Sequence, residues 1–81
     1  SPRPLTHDLL CQTITNLGGE LQEIQINELK DKTYFATLKI RQNGKFVKVD
    51  CRPSDAIALA VTMNVPIFVF EQVLEQISED I

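Results

Sequence analysis

Cysteine is scarce in this chain: Cys11 and Cys51 stand far apart and form no C-x-x-C pair. That argues against a disulfide scaffold and for a reduced, cytosolic setting. Histidine occurs once, as His7, which argues against a conventional zinc site. Any metal would then be a hard cation such as Mg²⁺ or Mn²⁺ held by carboxylates. No apolar run approaches the length of a membrane span, so no membrane partner is expected. The opening Ser1-Pro2-Arg3-Pro4 lacks the basic-then-apolar pattern of a secretory signal. Internal repeats and low-complexity stretches are missing too.

What is present suits one small globular domain, residues 1–81, near the lower limit for a self-sufficient core. Apolar residues make up 43% and charged residues 23%, ordinary proportions for such a chain. The net charge of −3 looks wrong for a nucleic-acid binder, yet the average hides a division. Residues 1–29 set Arg3 against Asp8, Glu20, Glu23 and Glu28. Residues 30–52 hold lysines 30, 32, 39, 45 and 48 with Arg41 and Arg52, against only Asp31 and Asp50. Residues 53–81 hold acids alone. Local fields, not totals, steer anionic ligands.

In chain order, Thr6 reads as the cap of a first helix with Asp8 in its opening turn. Leu10, Ile14 and Leu17 recur at helical spacing, and Gly18-Gly19 ends it. Residues 21–29 read as a strand, and Lys30-Asp31-Lys32 as a tight connection. Tyr34, Ala36, Leu38 and Ile40 then alternate with Phe35, Thr37, Lys39 and Arg41, a clearer strand. Asn43-Gly44 is the strongest short hairpin signal, and residues 46–50 form the third strand. Pro53 ends that strand, and Ser54 is placed as the N-cap of a helix apolar nearly all round and buried on several sides. It stops near Met63-Asn64, with Asn64 able to take the left-handed cap. Residues 67–70 read as a buried strand, reached by a crossover that should be right-handed if the two strands are parallel. Residues 72–78 form a last helix with Val73, Leu74 and Ile77 inward and Glu71, Glu75 and Glu79 on a solvated stripe. The expected fold class is α+β in the order α-β-β-β-α-β-α. A three-stranded antiparallel meander is followed by a strand–helix–strand crossover, with the helices on one sheet face.

A two-residue Asn43-Gly44 loop fixes the pairing. Ile40 faces Val47, Leu38 faces Val49 and Ala36 faces Cys51 on the core side. On the other face Arg41 meets Phe46, Lys39 meets Lys48, Thr37 meets Asp50 and Phe35 meets Arg52. Lys39 opposite Lys48 is unfavourable unless an anion or an acid sits nearby. Phe35 and Phe46 among Lys39, Arg41 and Lys48 resemble a platform for single-stranded nucleic acid. Alternatively the lysines guard an exposed sheet, and another segment or subunit covers the aromatics. The turn itself gathers Asp50, Arg52, Ser54 and Asp55. Such a cluster can bind an anion or a hard cation, or simply start a helix.

The stretches Arg3-Pro4-Leu5-Thr6-His7-Asp8-Leu9-Leu10, Thr33-Tyr34-Phe35-Ala36 and Asp50-Cys51-Arg52-Pro53-Ser54-Asp55-Ala56-Ile57-Ala58-Leu59-Ala60 resemble the bifunctional nuclease family. Val65-Pro66-Ile67 and Val73-Leu74 are similar to its tail. The resemblance covers almost the whole chain, with Cys51 standing where alanine is common. It implies a bacterial or plastid-type α+β domain with DNase and RNase activity and little sequence specificity. It also implies further strands upstream of this chain's start. The catalytic candidates it singles out are His7, Asp8, Asp50, Arg52 and Asp55. Acids among Asp8, Asp50 and Asp55 would hold Mg²⁺ or Mn²⁺, Arg52 would stabilise the phosphorane-like charge, and His7 would shuttle a proton. Each has a plainer reading. Asp8 and Asp55 suit first helical turns, His7 suits an exposed helix start, and Asp50 could pair with Arg52. The rival class is a non-enzymatic nucleic-acid-binding or protein-interaction module. Exposed edges and the Phe35/Phe46 face predict self-association, a homodimer foremost.

Overall fold

The computed structural model describes residues 5–80. Residues 1–4 and 81 lie outside it, as do the side chains of Glu79 and Asp80, and with them the start of the chain and the third acid of the Glu71/Glu75/Glu79 stripe. The elements are α1 (Thr6–Asn16), β1 (Glu20–Lys30), β2 (Thr33–Gln42), β3 (Lys45–Cys51), α2 (Pro53–Met63), β4 (Ile67–Val69) and α3 (Glu71–Asp80). The fold is α+β in the expected order. One four-stranded sheet runs β3-β2-β1-β4, with β4 parallel to β1 and the other two pairings antiparallel. The path from β3 through α2 to β4 therefore carries the chain from one edge of the sheet to the other.

Local chemistry explains most boundaries. Leu5, not Thr6, is the N-cap of α1, and its backbone N–H donates to the Asp8 carboxylate at 3.3 Å. Thr6 is one residue too late to cap because the chain has already turned helical there. Gly18, at φ +84°, reverses the chain after α1, and Gly19 N–H donates to Ile14 O at 2.8 Å. Asn43 and Gly44 both take positive φ, as a type I′ hairpin requires. Asp31 and Lys32 do the same, at φ 51° and 64°, so the first hairpin is equally tight without a glycine. Asn64 closes α2 in the left-handed conformation.

The β2–β3 register is the expected one from Gln42↔Lys45 to Ala36↔Cys51. It stops there, so Phe35 and Arg52 do not pair. Leu21, Ile24 and Ile26 of β1 and Ala36 and Leu38 of β2 share the inner face, against Cys11, Ala56, Leu59, Ala60 and Val73 from the three helices. The helices reach β1 and β2 but hardly β3. Several apolar residues expected inside are therefore uncovered. Val47 and Val49 are 43% and 40% exposed, and every residue of β4 is exposed, although that strand was expected to be buried. On the helices, Val61 and Ile57 of α2 and Leu74 of α3 also face outward. α2 is apolar all round yet covered on one side only. Among the described residues no helix is long and apolar enough to cross a membrane.

Candidate functional site

The end of β3 and the start of α2 form one continuous turn. Arg52 is extended at φ −75° and ψ 145° and serves as the N-cap of α2, while Pro53 supplies the fixed φ of the first helical position. Ala56 N–H donates to Arg52 O at 3.1 Å, closing the first helical bond. Ser54 is thus inside the helix, and no side chain caps the start. Asp55, in the third helical position, turns back onto Arg52. Arg52 Nε lies 2.7 Å from Asp55 Oδ2 and Nη2 lies 3.1 Å from Oδ1, a two-pronged pair. The guanidinium holds the Asp55 carboxyl below the usual carboxylate range, first through the hydrogen bond. Arg52 pairs with Asp55 rather than with Asp50.

Beside this turn, α1 leans over the inner face and leaves a cleft of about 660 Å³. Its floor is aliphatic, with Leu10, Ile14, Leu38 and Leu59. Its mouth carries His7, Arg52, Asp55 and Asp50. Four of the five catalytic candidates therefore line one cleft. The fifth, Asp8, is not part of the lining. It accepts from Leu5 N–H and lies 3.4 Å from His7 Nε2, so its contribution is to hold the start of α1 and to touch the imidazole.

Asp50 occupies a special place. Strand alternation sets its side chain with Phe46 and Lys48 on the open face, while Cys51 points inward. It thus stands on the sheet edge where the cleft meets the open face. Cys51 is half-buried beneath it, and burial pushes its thiol up, with Asp55 and Asp50 adding to the effect.

The metal expectation fares differently. Among the described residues no three of His, Cys, Asp and Glu come together as a metal-binding group. Asp8 is engaged at the start of α1 and Asp55 is committed to Arg52. The three carboxylates Asp8, Asp50 and Asp55 do not form a ligand set within one chain. Asp50 is left as the carboxylate of the three with no hydrogen bond or ion pair among the described residues.

On the open face, β1 adds what the hairpin alone did not reveal. Glu20 lies beside Arg41 and Glu23 beside Lys39 in the ladder. Arg41 Nη2 is 3.2 Å from Glu20, and Lys39 Nζ is 4.0 Å from Glu23. Glu23 supplies the acid that a Lys39–Lys48 pair calls for. Lys39 also sits 4.4 Å from the centroid of the Phe46 ring, a cation–π contact. Two of the platform's cations are thus already partnered, while Phe46 and Lys48 remain exposed and Phe35 is half-buried. Asn27 donates to Thr37 Oγ1 at 2.7 Å, completing a polar strip. The signal for Glu20 and Glu23 was the two-residue Asp31-Lys32 turn, which sets the β1–β2 register. Two bulges in β1, between Leu21 and Glu23 and between Ile26 and Glu28, break the alternation that would have shown it.

Known proteins are similar to this chain in sequence. The chain is 47% identical over 75 residues to an uncharacterised protein of Mycobacterium tuberculosis, covering 93% of this chain and 44% of that protein. It is 34% identical over 68 residues to bifunctional nuclease 2 of Oryza sativa subsp. japonica, and 31% identical over 68 residues to bifunctional nuclease 1 of Arabidopsis thaliana. Each plant match covers 80% of this chain and 21% of the relative. The chain thus spans less than half the length of the mycobacterial protein and about a fifth of the plant ones. Across residues 1–81 it matches the bifunctional nuclease domain, and it belongs to that family.

Proposed function

We propose that this domain binds DNA and RNA with little sequence specificity and hydrolyses their phosphodiester bonds at the cleft mouth. The observation that carries the reading is the gathering of His7, Arg52, Asp55 and Asp50 along one cleft, with Phe46 and Lys48 exposed on the open face of the strand that leads into it. Lysine and aromatic groups address phosphates and base faces rather than base edges, which accounts for low specificity. Arg52 faces the charge that grows on the phosphoryl oxygens, and His7 moves a proton to or from the reacting oxygen. Mg²⁺ is commonly held by one or two carboxylates together with substrate phosphate. In this reading Asp50 would hold the ion, and Mg²⁺ or Mn²⁺ would supply Lewis-acid stabilisation of the phosphate. A cytoplasmic setting suits the two free thiols.

The test is incubation of the purified chain with single-stranded DNA and RNA, with Mg²⁺, Mn²⁺ or EDTA. Metal-dependent cleavage is expected, lowered roughly 10²- to 10³-fold by Arg52→Ala. No cleavage by this chain or by a full-length relative would overturn the reading. A binding-only module is the second reading, favoured because no three of His, Cys, Asp and Glu come together among the described residues. Tight, metal-independent binding without product would select it. The uncovered apolar residues support self-association in either case, with a homodimer as the simplest product.

A further inference from the structure

We infer that Asp55 is a positioning residue that aims Arg52 at phosphate, and that it is not a metal ligand. This rests on the reading of the cleft mouth as a phosphate site. Arg52 is 80% exposed, and a guanidinium on so open a stem would otherwise sample many rotamers. The Asp55 carboxylate engages Nε and Nη2 together, which sets the plane of the fork. Of the five N–H donors of a guanidinium, two are used and three remain on the edge away from Asp55. That free edge is what a phosphate needs. The same pairing engages both carboxylate oxygens of Asp55 and sets a fixed cation against them, which disfavours a metal ion at the same carboxylate.

Two further features separate this role from a merely structural one. An exposed ion pair contributes little to stability, so losing it should scarcely move the unfolding midpoint. Removing a negative charge beside a phosphate site should also, by Coulomb's law alone, tighten nucleic-acid binding. Positioning predicts the opposite sign.

The experiment measures binding of a fluorescent oligothymidylate in EDTA, and of Mn²⁺ to the chain alone by electron paramagnetic resonance. Wild type, Asp55→Asn, Asp55→Glu, Arg52→Ala and the Arg52→Ala/Asp55→Asn double variant are compared. Asp55→Asn keeps one acceptor but not two, and should weaken oligonucleotide binding roughly 3- to 10-fold, the entropy of holding one long side chain. Asp55→Glu should recover part of that loss. The double variant should bind no more weakly than Arg52→Ala, because Asp55 acts through Arg52. Mn²⁺ binding should be the same in wild type and Asp55→Asn. A tenfold loss of Mn²⁺ affinity in Asp55→Asn would make it a ligand and overturn the inference. Unchanged or tighter oligonucleotide binding by Asp55→Asn would also overturn it, while leaving the phosphate site standing. If Arg52→Ala binds as wild type does, the phosphate site falls and the inference with it.

Discussion

The two edges of the sheet are built on different principles. β3 is seven residues long, alternates apolar and polar side chains from Val47 to Cys51, and pairs with β2 along its whole length. Lysines at 45 and 48 interrupt its apolar side chains. β4 is three residues long, wholly apolar and exposed, and is held through three pairs with β1. The charged edge ends in the cleft mouth. The apolar edge has no such guard, although natural edges are commonly protected by charge. The proposed nucleic-acid surface thus lies with the charged edge, and the proposed self-association surface with the apolar one.

The largest test of that contrast is a matched pair of truncations. Ile24 is fully buried and stands between Leu38 and Ile67 in the ladders that join β2, β1 and β4. Ile24→Ala should cost about 2–5 kcal/mol in a urea unfolding experiment, since it leaves a cavity beneath the strand that holds β4. Val49→Ala on β3 removes a side chain already 40% exposed and should cost less than about 1 kcal/mol. Equal costs would mean that the β3 edge is as tightly packed as the middle of the sheet.

Exchanging the edges' surface chemistry comes next. Phe68→Lys places a guard on β4 and should shift self-association toward monomer by roughly tenfold in dissociation constant, about 1.4 kcal/mol. Lys48→Val removes a guard from β3 and should favour larger species. Light scattering across a concentration series reads both. If Phe68→Lys leaves the association unchanged, the apolar edge is not the contact.

The edges also differ in how readily they could be read. Asn43-Gly44 announces a type I′ turn, and with alternation on both arms it gives the β2–β3 register pair by pair. Asp31-Lys32 makes the same turn without its usual residues, so the β1–β2 register, and with it Glu20 and Glu23 on the open face, stayed hidden. β4 was legible as a strand but not as an exposed one, because burial depends on what lies beyond the edge. At the cleft, local sequence brought Asp50, Arg52 and Asp55 together, whereas the approach of His7 from α1 is a tertiary event. The family itself was legible from the residues around Asp50–Ala60. The difference between the hairpins can be measured. Lys32→Gly should stabilise the protein by about 0.5–1 kcal/mol, as relief from positive φ outweighs glycine's added freedom when unfolded. A loss of stability would show that the Lys32 side chain contributes more than its backbone strain costs.

The smallest effect belongs to the turn out of β3. A serine before an apolar helix suggests a cap worth about 0.5–2 kcal/mol. In the structure Arg52 holds the N-cap position and Ser54 lies inside the first turn with no cap bond from its side chain. Ser54→Ala should therefore change stability by less than about 0.5 kcal/mol. Pro53 and the backbone bond from Ala56 to Arg52 already define the start. The Arg52–Asp55 pair adds a pH signature of known sign. Because the Asp55 pKa is lowered in the folded state by its hydrogen bond to Arg52, the pair stabilises the fold above the ordinary carboxylate value of about 4. That contribution is lost as the pH falls through the lower, folded value. Ser54→Ala should keep this acid limb, while Asp55→Asn should lose it by being slightly less stable than wild type at pH 7 and equal to it at pH 2. Urea midpoints followed from pH 7 to pH 2 in the two variants decide it. A substantial loss in Ser54→Ala at neutral pH would return the cap to the serine.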